Sequence, residues 1–126
     1  MKLSFIIEAD DKIIGFLVGF MSQDKSDEAY IHFVGVHPDY RNRRIAKRLY
    51  ERFFMVVVHS GCRVVRCITS PINRTSIAFH KKMGFVIEAG DKMIDGVAVH
   101  TGHDGSGNDR VLFTKNIEND GDYGGM

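Results

Sequence analysis

The chain has 126 residues, of which 44% are hydrophobic and 26% are charged, and its formal net charge is +1. This length and composition are typical of a single folded domain, and they exclude a disordered or fibrous chain. The nearly balanced charge excludes a generally basic surface of the kind that nucleic acids attract, so any electrostatic site must be local.

The beginning of the sequence predicts an antiparallel hairpin followed by a third strand. Residues 3–9 and 12–21 are apolar runs separated by two aspartates, a pattern that favours a tight turn between strands. Residues 29–36 are rich in β-branched and aromatic side chains, which are typical of strands. The apolar run at residues 13–21 is shorter than the roughly 20 residues needed to span a bilayer, so no membrane partner is expected.

Residues 42–60 predict an amphipathic helix that ends at Gly61. Apolar residues recur at every fourth position, and charged residues fall on the opposite side. The apolar stripe consists of Ile45, Leu49, Phe53 and Val57. A glycine directly after the last turn is a common end for a helix.

The second half of the chain predicts further strands around a second helix. Residues 62–69 predict a fourth strand, and the predicted second helix has Asn73 as its N-cap and Gly84 after its last turn. Residues 85–89 and 111–115 predict two final strands, and residues 94–99 are a candidate for a short additional one.

The order β-β-β-α-β-α-β-β predicts an α+β fold, a mixed and mostly antiparallel twisted sheet of about six strands with two main helices. We expect one domain at residues 1–117 and a flexible tail at residues 118–126.

The two cysteines indicate the compartment. Cys62 and Cys67 are five residues apart in a predicted strand, which directs their side chains to opposite faces and prevents a disulfide between them. Unpaired thiols are typical of a reducing compartment, and no signal peptide is recognisable. We therefore predict a cytoplasmic protein.

Residues 36–49, VHPDYRNRRIAKRL, concentrate basic side chains where a strand passes into a helix. A nucleic-acid patch would require a more basic domain, and a solvated helix face explains only part of the cluster. A helix N-terminus presents unpaired N–H groups and a partial positive charge, to which arginines add forked donors. The position therefore predicts a pyrophosphate site at the start of the helix.

This stretch resembles the acetyl-CoA-binding motif of the GNAT superfamily of N-acetyltransferases. The family pattern is Gln or Arg, two residues, Gly, one residue, and Gly or Ala. Arg41 opens the pattern and Ala46 closes it, while Arg44 stands where glycine is usual and Asn42 replaces another common glycine. Residues 73–85, NRTSIAFHKKMGF, are similar to the family's second signature.

The resemblance covers residues 5–115 and implies transfer of an acetyl group from acetyl-CoA to a primary amine of a small molecule or peptide, by direct attack on the thioester. No nucleic acid and no metal are implied. The implied coenzyme-binding residues are Phe33, Val34, Gly35, Val36, Arg41, Asn42, Arg43, Arg44, Ile45, Ala46, Lys47, Asn73 and Phe79.

Two histidines are candidate catalytic residues. His80 occupies the position of the tyrosine that protonates the leaving thiolate in the family. Two alternatives stay open for it, since a histidine can donate this proton near neutral pH or can simply pack in the fold. His32 lies where many members carry a glutamate base, and Glu28 is a weaker alternative. Because side chains alternate along a strand, His32 is expected to share a face with Tyr30 and Val34. A covalent route through Cys62 or Cys67 is disfavoured, because neither has a base or helix N-terminus beside it in the sequence.

The sequence resembles a short form of the family without the usual N-terminal strand and helices. Either a minimal fold, a partner subunit or a lost segment accounts for this, and a homodimer is one arrangement that completes the acceptor site. The rival function is a regulatory module that binds acetyl-CoA with weak or no turnover, because Arg44, His80 and the short N-terminus each depart from the family pattern. Residues 104–109, DGSGND, only faintly resemble a calcium loop, since Lys115 stands where the loop requires glutamate.

Overall fold

The computed structural model describes residues 2–103, 105 and 107–117, with Asn42 and Arg43 described by their backbone alone. Within these residues the chain divides into two compact units, residues 2–65 with 116–117, and residues 66–115. The tail predicted at residues 118–126 lies outside the described residues, and the single domain at residues 1–117 stays a prediction.

The first unit opens with the predicted hairpin, which is confirmed. Strand β1, Lys2–Ala9, pairs antiparallel with strand β2, Lys12–Met21. The two residues between them, Asp10 and Asp11, have φ values of 53° and 63°. Positive φ at both central positions is the requirement of a type I′ turn, whose twist matches that of the strands, and aspartate tolerates this conformation better than most residues.

Strand β3, Glu28–Val36, is followed by a 3-10 turn, Pro38–Arg43, and by helix α1, Ile45–His59. The predicted helix began three residues earlier. It is shorter because Arg44 has left-handed dihedral angles, φ 57° and ψ 30°, which separate the 3-10 turn from the α-helix. At the other end Gly61 has a φ of 94°, as expected of a glycine that closes a helix.

Helix α1 packs against β1, β2 and β3 through the predicted apolar stripe, all of which is buried. The close contact depends on two glycines of β2. A Cβ added at Gly15 would lie 2.5 Å from the Ile45 side chain, and one at Gly19 would lie 2.5 Å from the Phe53 ring. Phe5 meets Phe53 edge-to-face at a centroid distance of 6.3 Å. Burial of each large apolar side chain stabilises the unit by about 1.5 to 3 kcal/mol.

The remaining elements are strand β4, Val64–Thr69, helix α2, Arg74–Lys82, and strands β5, Val86–Ile87, β6, Lys92–Ile94, β7, Val97–Val99, and β8, Val111–Asn116. The main sheet has six strands in the order β1-β2-β3-β4-β8-β5 and is mostly antiparallel. The predicted α+β fold with two helices is therefore confirmed.

The structure departs from the predicted strand order at residues 92–99. These residues form a small hairpin, β6 and β7, that is separate from the main sheet. Its turn, Asp95–Gly96, has φ values of 50° and 80°, so it has the positive-φ geometry of a tight hairpin turn. The predicted strand at residues 85–89 shortens to the two residues of β5.

Helix α2 begins as predicted at its N-cap. The Asn73 side chain accepts a hydrogen bond of 3.1 Å from the Ser76 N–H, which satisfies one of the unpaired donors of the first turn. Cys62 and Cys67 are both buried and unpaired. In the part of the chain that the structure describes, no helix combines the length and apolar character of a membrane span.

Candidate functional site

A β-bulge in β3 defines the region where the resemblance implies acetyl transfer. Val18 of β2 pairs with Phe33, but Gly19 pairs with Ile31, so His32 has no partner and is the inserted residue. A bulge of this kind bends its strand and redirects the side chains around it. His32 and Phe33 are both exposed, and their rings lie 4.0 Å apart between centroids.

The bulge changes the predicted distribution of side chains along β3. Phe20 stacks on Tyr30 at 5.2 Å and contacts His32 at 6.5 Å, so these rings lie on one face. Val34 pairs with the fully buried Leu17, and this places it on the other face, toward α1. The shared face of Tyr30, His32 and Val34 expected from period two is therefore wrong beyond His32, because the extra residue shifts the alternation.

The segment after the bulge, Phe33 to Val36, is partly accessible. Phe33 is 58% exposed, and the next three residues are half-buried. Gly35 cannot be replaced without movement nearby, because an added Cβ would lie 2.3 Å from the Phe16 ring. The Phe16 ring lying across the strand therefore explains why position 35 is a glycine.

The 3-10 turn is attached to the hairpin turn of β1 and β2. The His37 N–H donates to the Ile14 carbonyl at 2.7 Å, and the His37 Nδ1 accepts the Asp39 N–H at 3.1 Å. The buried Tyr40 donates its hydroxyl to Asp10 Oδ2 at 2.8 Å. This link fixes the turn that carries Arg41, and sequence reasoning missed it because it joins residues thirty positions apart.

Arg44 occupies the position where the family pattern has glycine. The backbone conformation of this position explains why glycine is usual there. A φ of 57° is unfavourable for residues with a Cβ and unrestricted for glycine. The Arg44 side chain is exposed and forms no capping hydrogen bond at the start of α1. The arginine therefore keeps the glycine backbone geometry and adds a charge at the helix N-terminus.

The start of α1 is electropositive. The first N–H groups of a helix lack acceptors within it, and the helix dipole adds partial positive charge. No acidic residue lies in the first turn, and Arg41, Arg44 and Lys47 are exposed. Within the described part of the chain, none of these three forms an ion pair. Ile45 is buried and Ala46 half-buried, so they position the turn.

In the second unit, His80 is enclosed by aromatic rings. It stacks on Phe113 at 4.5 Å and meets Phe85 and Phe79 edge-to-face at 5.3 and 5.5 Å. Its side chain is buried, and its Nδ1 lies 2.7 Å from the Ser76 carbonyl oxygen, which can only accept, so Nδ1 carries the proton.

Burial lowers the pKa of His80, and the hydrogen bond to the Ser76 carbonyl opposes this effect in part. The imidazole is therefore neutral at pH 7. Since its proton is on Nδ1, the ring must be protonated before its other nitrogen can act as an acid.

The other candidate residues of the sequence analysis are also located. Asn73 is exposed at the N-cap of α2, and Phe79 is half-buried. Glu28 is buried and accepts the Tyr30 hydroxyl at 3.0 Å. Among the described residues, no group of three or more His, Cys, Asp or Glu side chains is arranged to hold a metal ion.

The two cysteines have the properties of buried, unreactive thiols. Burial raises the pKa of Cys67 far above its ordinary value, and burial together with the charge of Asp27 raises the pKa of Cys62. A raised pKa lowers the thiolate fraction, which is the nucleophilic form.

Known proteins are similar to this chain in sequence and in fold. Residues 2–85 match the acetyltransferase (GNAT) family. The chain belongs to this family. A curated relative, an uncharacterised N-acetyltransferase of Methanocaldococcus jannaschii, is 31% identical over 85 residues, which cover 64% of this chain and 38% of the relative. The chain spans less than two thirds of the curated relatives it matches.

Solved structures of GNAT acetyltransferases have the same fold. A GNAT-family acetyltransferase of Desulfovibrio desulfuricans gives a TM-score of 0.78 at 17% identity and covers 92% of this chain and 69% of its own. An aminoglycoside 6'-N-acetyltransferase complexed with coenzyme A gives a TM-score of 0.71 at 16% identity and covers 92% and 73%. At these identities the likeness concerns the GNAT fold.

Proposed function

We propose that this GNAT protein transfers an acetyl group from acetyl-CoA to a primary amine of a small molecule or peptide. The observation that carries the proposal is the passage from β3 through the 3-10 turn into α1. There, the left-handed Arg44 opens a helix N-terminus flanked by exposed cations, which form no ion pair within the residues that the structure describes. Such a terminus suits the pyrophosphate of a coenzyme.

The coenzyme is proposed to bind along this passage. The backbone from Phe33 to Val36 would hold the pantetheine arm, and the N–H groups from Asn42 to Lys47 would hold the pyrophosphate. Arg41 adds a forked donor for phosphate oxygens. In the second unit, the motif resemblance supports Asn73 and Phe79 as coenzyme contacts.

The proposed reaction has a simple proton balance. An amine with a pKa near 10.4 is protonated at neutral pH and must lose a proton before it attacks. His32, exposed at the bulge, would accept that proton. The nitrogen lone pair then forms the C–N bond, the C–S bond breaks, and the thiolate leaves with its electron pair. It takes up the second proton, which the new amide nitrogen releases, either directly or through His80.

Two measurements on the same protein test the proposal. Calorimetric titration with acetyl-CoA reports binding, and thiol release across a panel of primary amines reports turnover. Binding with release for at least one amine supports the transferase. Binding without release for any amine favours the regulatory module, and no binding at all overturns both.

The variant Arg41→Ala tests where the coenzyme binds. We expect it to weaken acetyl-CoA binding about tenfold, because it removes a charge-assisted hydrogen bond to phosphate. Arg52→Ala is the matched control, since Arg52 is an exposed arginine two turns along α1. Equal affinities of the two variants would contradict the proposed position of the pyrophosphate.

A further inference from the structure

A cleft of about 540 Å³ opens in the first unit, beside the bulge of β3. Its lining residues include Lys2, Val18, Phe20, Gln23, Asp24 and His32. The volume is within the range of small-molecule sites, about 300 to 1,000 Å³. Val18 and Phe20 lie on the face of β2 opposite to Gly15 and Gly19, so the cleft lies on the side of the sheet away from α1.

The walls of the cleft combine three kinds of chemistry. Phe20 is 39% exposed and supplies an aromatic surface. Asp24 supplies a carboxylate and Lys2 an ammonium group, and in the described part of the chain neither forms an ion pair. His32, the proposed base, lines the same cleft.

The loop that carries Asp24 is held in place. The Ser22 hydroxyl accepts the backbone N–H groups of Asp24 at 3.3 Å and Lys25 at 3.1 Å. The Ser22 N–H donates to the Glu28 carbonyl at 2.9 Å, which fixes the start of the loop on β3. The Asp24 carboxylate is therefore presented by an ordered turn.

From this combination we propose that the cleft binds the acceptor and selects an amine that also carries an anionic group and an apolar side chain. Asp24 attracts the ammonium form, which dominates at neutral pH. Lys2 pairs with the anionic group, and Phe20 contacts the apolar part. His32 takes the proton of the amine. The inference rests on the proposed function and adds the substrate class.

Three amines with the same aromatic part test this selection: phenylalanine, phenylalanine amide and phenethylamine. We expect kcat/KM to be about three- to fivefold higher for phenylalanine, the only one with a carboxylate, since an exposed ion pair contributes up to about that factor. Equal or better use of phenethylamine would overturn the selection.

Variants of the two charged residues separate their roles. Asp24→Asn should lower kcat/KM about three- to fivefold for all three amines, and Lys2→Gln should lower it for phenylalanine alone. The matched control is Glu51→Gln, which removes an exposed carboxylate from α1. If Asp24→Asn behaves like Glu51→Gln, Asp24 has no part in binding.

An NMR titration measures ligand binding in the cleft independently of turnover. Phenylalanine should shift the backbone amide signals of residues 18–24, and Asp24→Asn should weaken the shifts. Shifts at the cleft in a protein that does not bind acetyl-CoA would support the cleft and reject the proposed function. Shifts that are absent or lie elsewhere would reject the cleft whatever the coenzyme result.

Discussion

Arg44 combines an unfavourable backbone conformation with a charge at a helix N-terminus. A left-handed residue with a Cβ costs about 1 to 2 kcal/mol relative to glycine, while glycine raises the entropy of the unfolded chain. We therefore expect Arg44→Gly to raise the free energy of unfolding by up to about 1 kcal/mol, measured by urea denaturation.

Arg44→Ala is the comparison, because it removes the charge and keeps the Cβ. It should leave the free energy of unfolding within about 0.5 kcal/mol of the original protein. The same two variants separate the roles of Arg44 in coenzyme binding. Weakening in both assigns the effect to the lost charge, and stability that is equal in both would contradict the backbone explanation.

His80 makes stability depend on pH. Its pKa is lowered in the folded state, so below its ordinary value of about 6.5 the unfolded chain binds a proton that the folded chain excludes. The free energy of unfolding contributed by His80 is therefore complete above this value and falls as the pH drops through it.

We expect His80→Phe to show a smaller loss of stability between pH 7.5 and 5.5 than the original protein. Urea denaturation at both values measures the difference, and an equal loss would place the pH dependence elsewhere. The same variant should lower turnover more than acetyl-CoA affinity. If its turnover is unchanged, His80 belongs to the aromatic packing and not to the mechanism.

The 3-10 turn depends on the β1–β2 turn for its position. The buried hydroxyl of Tyr40 binds Asp10, so Tyr40→Phe removes one hydrogen bond and leaves the ring in place. We expect a loss of about 1 kcal/mol in stability and weaker acetyl-CoA binding, measured by denaturation and calorimetry. Asp11→Asn, in the same hairpin turn, is the control, and equal effects would contradict a positioning role for Tyr40.

The elements were predictable where their signal is local. Aspartates between two apolar runs mark the hairpin, and a four-residue apolar repeat marks α1, so both were predicted. The break in the helix at Arg44 was not predicted, because arginine rarely adopts the left-handed conformation. Only the glycine that the family pattern has at this position points to that conformation. The bulge at His32 depends on pairing with β2, which period two within β3 does not report.

The candidate site was predictable in the same uneven way. The turn and helix that carry Arg41 form one continuous segment, so their sequence located them. The Tyr40–Asp10 hydrogen bond and the cleft beside Phe20 bring together residues distant in sequence, and no spacing rule describes either.

At the scale of the whole molecule, a net charge of +1 makes the cluster at the start of α1 a local site. We expect acetyl-CoA affinity to fall as the salt concentration rises from 50 to 500 mM, because the distance over which exposed charges are screened shortens through about 10 Å in this range. Duplex DNA is the comparison and should bind weakly throughout. A DNA affinity that falls steeply as the salt concentration rises would instead favour a nucleic-acid-binding function.

The contact between Gly35 and the Phe16 ring has a consequence for how the family can vary. A side chain at position 35 needs the space that the ring now fills, so a larger residue there requires a smaller or differently rotated one at position 16. Among related sequences, the two positions should therefore change together, with a small residue at one accompanying a large residue at the other.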